Sequence, residues 1–212
     1  MNTRKRTQNL VMTAALTALI LLMTYVPFLG YIPLGFIDAT IIHVPVIIGG
    51  ILLGPKYGAG LGLVFGLGSL VKNTIRPNLT SFVFTPFVQV GEFGGNLWSI
   101  VICLVPRILI GVVAYYVYVA VKKIIKKKKS GETIALGAAG ILGSLTNTLL
   151  VMNLIYIFFG ESYAAATGKA YSALYYAILG VIVGSGIPEA IVAAILTIAI
   201  AKVLLKLGFG RK

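Results

Sequence analysis

Charge is scarce in this chain. Of its 212 residues only 11% are Asp, Glu, Lys or Arg, and five are acidic; a soluble domain carries about 25%. Hydrophobic residues make up 58% and mean hydropathy is +1.00. The apolar residues come in long blocks and not at amphipathic spacing, which excludes an ordinary soluble domain and identifies an integral membrane protein. Alternating segments of about ten residues, the mark of a transmembrane β-barrel, are lacking too. The fold class is therefore all-α.

Reactive side chains are as sparse as charge. There is one cysteine, Cys103, and it lies in an apolar block. No intramolecular disulfide can form, and the residue reads as a small buried apolar group. No G-x-x-x-x-G-K-[ST] segment is present, so ATP cannot be bound as a P-loop protein binds it. The one histidine, His43, has no partners at metal-ligand spacing. Gly184-Ser185-Gly186 lies near the surface with His43 as its one conceivable base, so it reads as a helix-breaking hinge and not as a protease site. Neither enzymatic chemistry nor a cofactor or metal is expected.

What the chain does have is positive charge in blocks, with a net charge of +13. Arg4-Lys5-Arg6 precede the first apolar run, which is too long for a typical signal-peptide core and reads as a membrane helix. Lys122, Lys123 and Lys126 to Lys129 separate two later runs, and Lys202, Lys206, Arg211 and Lys212 close the chain. Six transmembrane helices fit this pattern, at about 9–27, 38–54, 57–72, 98–121, 133–159 and 187–207, in one domain covering 1–212. The positive-inside rule then puts both termini, Lys56 and the Lys-rich loop 122–132 in the cytoplasm. Lys72, Arg76 and Lys169 are left outside, and Arg107 lies in the membrane. This distribution explains the net charge without nucleic acid.

Two connections are long. Residues 72–97, KNTIRPNLTSFVFTPFVQVGEFGGNL, mix amides, hydroxyls, prolines and four phenylalanines. A segment of this length is expected to be a functional lid, and its phenylalanines argue against disorder. Residues 160–186 form the second, and the sixth helix is expected to begin at Gly184-Ser185-Gly186 with Pro188 in its first turn. Gly58, Gly62 and Gly66 share one face of the third helix, as Ala14 and Ala18 do on the first. Such faces allow close backbone approach, either within the bundle or to another subunit.

The polar residues gather toward the outer side. Asp38, Thr40 and His43 fall in the first turns of the expected second helix. Lys72, Asn73, Arg76, Asn78, Gln89, Glu92 and Asn96 belong to the external loop. Asn147, Thr148 and Asn153 lie on the fifth helix and Glu189 at the start of the sixth. Arg107 is nine residues below Trp98, about 13 Å at the helical rise, and a charge at membrane depth usually marks a site or a buried pair. Together these residues predict a cavity open to the outside, capped by a flexible loop. Glu189 is the candidate partner of Arg107 in the empty site.

The arrangement resembles the substrate-binding S components of energy-coupling factor (ECF) transporters, the vitamin importers of bacteria and some archaea. The resemblance covers essentially the whole chain, and Ala14-x-x-x-Ala18 is similar to the family's docking motif. PLGFIDATIIHVPVIIGGILLGPKYG (33–58), NTIRPNLTSFVFTPF (73–87), VPRILIG (105–111) and GIPEAIVAA (186–194) are most similar to the pantothenate-type members. The resemblance implies a multi-pass cell-membrane protein that binds a vitamin and docks on a transmembrane coupling subunit with two ATPase subunits. Pantothenate is an anion with hydroxyls and an amide. Arg107, Lys72, Arg76 and the start of the sixth helix could meet its charge, and Asn73, Asn147, Asn153, Thr40 and His43 the rest. A hydroxymethylpyrimidine, pyridoxine, folate or riboflavin type of S component, or a stand-alone secondary carrier, remains the alternative.

Overall fold

The computed structural model describes residues 3–33, 38–125 and 130–210. Lys126 to Lys129, Arg211 and Lys212 of the basic blocks lie outside the described residues. Helix α1 is Thr3–Tyr25, followed by a single turn, α2, at Pro27–Gly30. Strands β1 (Tyr31–Pro33) and β2 (Asp38–Thr40) pair antiparallel, with Tyr31 opposite Thr40. Helices α3 (His43–Leu53) and α4 (Pro55–Ile75) follow. A 3-10 turn at Ser81–Val83 and the hairpin β3 (Gln89–Val90) and β4 (Phe93–Gly94) lead into α5, Leu97–Ile124. Helix α6 is Gly131–Ala166, α7 is Tyr171–Val181 and α8 is Ile187–Lys206.

Among the described residues five helical runs are long and apolar enough to cross a bilayer: Lys5–Tyr25, Pro55–Ile75, Leu97–Ile124, Gly131–Ala166 and Tyr171–Lys206. Helix α3 is the exception. Its 11 residues rise about 16 Å, roughly half the hydrocarbon thickness of a bilayer. The expected second span at 38–54 is thus corrected: its first residues form β2, and helix begins only at His43. Every residue of α3 from His43 to Leu52 is buried, which explains a run apolar on all sides. Gly54, at φ 104, ends it, and Pro55 opens α4 at a position where no N–H is needed.

Glycines set the closest helix contact. A Cβ at Gly58 would lie 2.8 Å from the Gly50 Cα and 3.0 Å from the Gly111 carbonyl carbon, and one at Gly62 would collide with the Arg107 carbonyl oxygen. The Gly58-Gly62-Gly66 face therefore packs inward against α3 and α5. The Cys103 thiol, buried in the same seam, donates to the Gly66 carbonyl at 3.3 Å. Ala14 and Ala18 differ: both are exposed on α1.

The break expected at Gly184-Ser185-Gly186 is not a helix start. Residues Ile182–Gly186 form a π-helical turn that joins α7 to α8 without interruption. The proline ring of Pro188 would crowd the carbonyl of residue 184 in a regular α-helix, and the wider turn relieves that contact. Helix α6 runs past the expected end at 159, with non-helical angles at Phe159 (φ −134°, ψ 17°) marking a kink. The second long connection expected, 160–186, thus shrinks to residues 167–170.

Nor is the segment after α4 a loose flap. Phe82 and Val83 are fully buried, and Phe82 stacks on Phe93 at 5.8 Å and meets Phe159 edge-on at 5.9 Å. The Ser99 hydroxyl donates to the Phe82 carbonyl at 2.8 Å. Asn96 caps α5 through the Trp98 N–H, and the Ser99 hydroxyl accepts from the Asn96 N–H in return. Burial of Phe82 and Val83 turns the expected flexible loop into a plug seated in the bundle.

Candidate functional site

At the end of the bundle opposite Lys56, Lys122 and Lys206, the helices part around a cavity of about 320 Å³. That volume is at the lower end of the range for small-molecule sites, about 300–1,000 Å³. Helix α4 gives one stripe of its wall, Phe65, Ser69, Lys72, Asn73 and Arg76, spaced as a single helical face. Helix α6 contributes Asn147, Thr148, Val151 and Met152, and the π-turn side contributes Val181, Ser185 and Glu189. Thr24, Thr40, Ile42, Asn78 and Phe84 complete the wall, with Arg107 from α5.

Arg107 is 7% exposed. Its Nη1 donates to the Ile102 carbonyl at 2.7 Å, and its guanidinium carbon lies 5.8 Å from the ring centre of Phe65 and 5.2 Å from that of Phe84. Both distances are within cation–π range. The carbonyl of Ile102 is four residues before Pro106, which has no N–H to give it. The arginine therefore completes a hydrogen bond that the proline leaves open.

Glu189 is turned to a different partner from the one expected. Its Oε1 accepts the backbone N–H of Thr40 at 2.9 Å, so it fastens β2 to α8. Asn73 is also engaged: Nδ2 donates to the Ser69 carbonyl at 2.8 Å, and Oδ1 accepts the Ser81 hydroxyl at 2.8 Å. The Asn147 side chain differs, since its Oδ1 is buried with no donor among the described residues. An acceptor so placed favours a ligand that brings an O–H or N–H.

Of the nine residues named from the sequence, the cavity brings together Arg107, Asn147, Thr40, Asn73, Arg76, Lys72 and Glu189. His43 is buried in the first turn of α3, outside the wall. Asn153 donates from Nδ2 to the Leu149 carbonyl at 2.7 Å. At 100° per residue it lies roughly opposite the Asn147–Met152 face of α6. The α8 N-terminus expected to meet an anion does not exist, because the helix is continuous there. The helix that starts beside the cavity is instead α3, whose flanking residue Ile42 is in the cavity wall. Phe65, Ser69 and Thr24 escaped the sequence reading, although the 65–69–72–76 spacing was a signal for the first two.

The chain matches the family model described as ECF transporter, substrate-specific component, over residues 8–201. It is 39% identical over 171 residues to the pantothenic acid transporter PanT of Lactococcus lactis subsp. cremoris, covering 80% of this chain and 79% of that one. It is 33% identical over 210 residues to the pantothenate transporter PanT of Leuconostoc mesenteroides subsp. mesenteroides, covering 96% and 95%. Among solved structures, the biotin S component of an ECF-type ABC transporter superposes with a TM-score of 0.52 at 21% identity, over 99% of this chain and 97% of that one; this likeness concerns the fold. With its family, its apolar helices and its cavity in agreement, the chain belongs to the substrate-specific components of ECF transporters and is a multi-pass protein of the bacterial plasma membrane.

Proposed function

We propose that this chain binds pantothenate from outside the cell and delivers it as the S component of an ECF importer. The observation that carries the reading is the company of Arg107: a buried cation beside an acceptor, Asn147 Oδ1, that no described donor satisfies. Pantothenate has the complementary groups, a carboxylate for the guanidinium and hydroxyl or amide protons for the asparagine. Lys72 and Arg76 at the rim add positive potential that draws an anion inward. Both relatives described above carry pantothenate in their names, which supports the same ligand.

In this reading the chain is one transmembrane domain of six membrane-embedded helices, with α3 as the short one. The Lys-rich end and both termini face the cytoplasm, as the positive-inside rule expects. The exposed Ala14 and Ala18 form the face that docks on a transmembrane coupling subunit. Two ATPase subunits beneath that subunit supply the energy, and this chain hydrolyses nothing. Docking reorients the loaded chain so that the cavity opens to the cytoplasm.

The direct test is calorimetric titration of the purified protein with pantothenate, pyridoxine and hydroxymethylpyrimidine, with mass spectrometry of any ligand that co-purifies. Saturable binding of pantothenate alone is expected. Tight binding of either of the others, with none of pantothenate, would reject the assignment. Uptake into proteoliposomes without partner subunits or ATP would show a stand-alone carrier instead.

A further inference from the structure

We infer that Phe84 is a positioning residue for substrate charge: resting on the reading of Arg107 as the carboxylate partner, the ring of Phe84 holds the guanidinium at its binding angle and so sets the preference for an anion. An arginine side chain is long and rich in rotamers, and ordering it on binding costs affinity. Here three groups order it in advance. The Ile102 carbonyl takes Nη1, the Phe65 ring lies 5.8 Å from the guanidinium carbon, and the Phe84 ring lies nearer at 5.2 Å.

Phe84 can serve as a fixed plate because its own segment is fastened on both sides. The 3-10 turn before it is tied by the Ser81 hydroxyl to Asn73 and Asn78, at 2.8 and 3.0 Å. Thr85, the residue after it, has its hydroxyl 2.7 Å from that of Thr74 on α4. Phe82 and Val83 are sealed in the core. The ring thus cannot follow a wandering arginine; the arginine settles against the ring. Phe65 lies on the rigid α4 and is 6% exposed, so the external segment is the element through which this contact could be gained or lost.

The negative face of an aromatic ring attracts a cation, whereas an aliphatic chain of similar bulk does not. The test compares binding of pantothenate with that of its uncharged alcohol, pantothenol, by calorimetry on the purified protein. The wild type is expected to prefer the acid. Phe84→Leu should weaken acid binding by about five- to thirtyfold, the range of a desolvated cation–π contact, and weaken alcohol binding by distinctly less. A shape-preserving series replaces Phe84 with its mono-, di- and trifluoro forms, and the acid dissociation constant should rise with each fluorine.

Equal loss of acid and alcohol binding in Phe84→Leu, or a flat fluorine series, would overturn the inference and leave Phe84 as a packing or ligand-contact residue. A wild type that binds acid and alcohol equally would instead reject Arg107 as the carboxylate partner, and the inference would fall with it. The fluorine series decides the matter if Phe84→Leu does not fold.

Discussion

Arg107 closes the gap that Pro106 opens: its Nη1 donates to the Ile102 carbonyl at 2.7 Å, the carbonyl that a regular helix would have bonded to the N–H of residue 106. The proline and the arginine are thus one device. Replacing Pro106 with alanine supplies the missing N–H, which competes for the same acceptor and releases the guanidinium. Pro106→Ala is expected to unfold at a higher temperature, since proline in a helix interior costs about 3 kcal/mol, yet to bind pantothenate more weakly. Arg107→Ala should lose about 2–5 kcal/mol of binding. Arg107→Lys should recover little of it, because a point charge lacks the fork that meets Ile102 and a ligand together. Calorimetry with thermal melts separates the two effects.

Asn147 and Asn153 make a matched pair on one helix. Asn147→Leu removes the buried acceptor in the cavity wall and is expected to weaken pantothenate binding by about 1–2 kcal/mol. Asn153→Ala, on the far side of α6, should leave the dissociation constant unchanged. The reverse ranking in a titration would place the ligand elsewhere on α6.

Glu189 fastens β2 through the Thr40 N–H. Glu189→Gln keeps an acceptor there and should bind nearly as wild type. Glu189→Ala should weaken binding by about tenfold, the worth of one charge-assisted hydrogen bond at ~1.5 kcal/mol, with faster substrate release. Hydrogen exchange of the Thr40 amide gives an independent reading: protection should fall in Glu189→Ala and persist in Glu189→Gln.

The α4–α5 seam offers a control inside one helix. A methyl group at Gly62 meets the Arg107 carbonyl oxygen, whereas one at Gly60 meets nothing within 4 Å. Gly62→Ala should cost about 1–3 kcal/mol through overpacking and weaken binding by displacing Arg107. Gly60→Ala should be neutral or stabilise by about 0.5–1 kcal/mol through lost backbone freedom. Thermal melts of the two variants side by side check the difference.

Ala14→Trp and Ala18→Trp should abolish uptake in cells that supply the coupling subunits, while the purified variants bind pantothenate normally. Both residues are exposed on α1, so a large side chain there has room in the isolated chain. Loss of binding in the purified protein would contradict a docking role.

Much of this was legible from residue depth. The placement of Arg107 below Trp98 and of the amides toward one end follows from counting along apolar runs. Azimuth was harder: Asn153 has the right depth but faces away, and polar residues on both sides of its helix, Ser144, Asn147 and Thr148 against Thr146 and Asn153, left the inward side open. The roles of Phe65 and Phe84 carried no signal, because nothing in the residue type distinguishes a ring on lipid from a ring on a guanidinium. The length of α3 was hidden because a residue run that begins as strand and continues as helix keeps its hydropathy throughout. Pro188 was a true irregularity, but a wider turn and a helix start present the same local sequence.

The shortness of α3 has a consequence for how the ligand space came to exist. Among the described residues five helical runs are of spanning length and α3 is about half of one, and the cavity lies at its N-terminal end, with Ile42 in its wall. The cavity thus borders the N-terminal end of α3, and the depth of its wall there depends on where that helix starts. One further helical turn at the start of α3 would extend it by about 5.4 Å into the cavity and shorten the space beside Arg107. In this fold, room for a different cargo can be made by moving one helix start while the other walls stand.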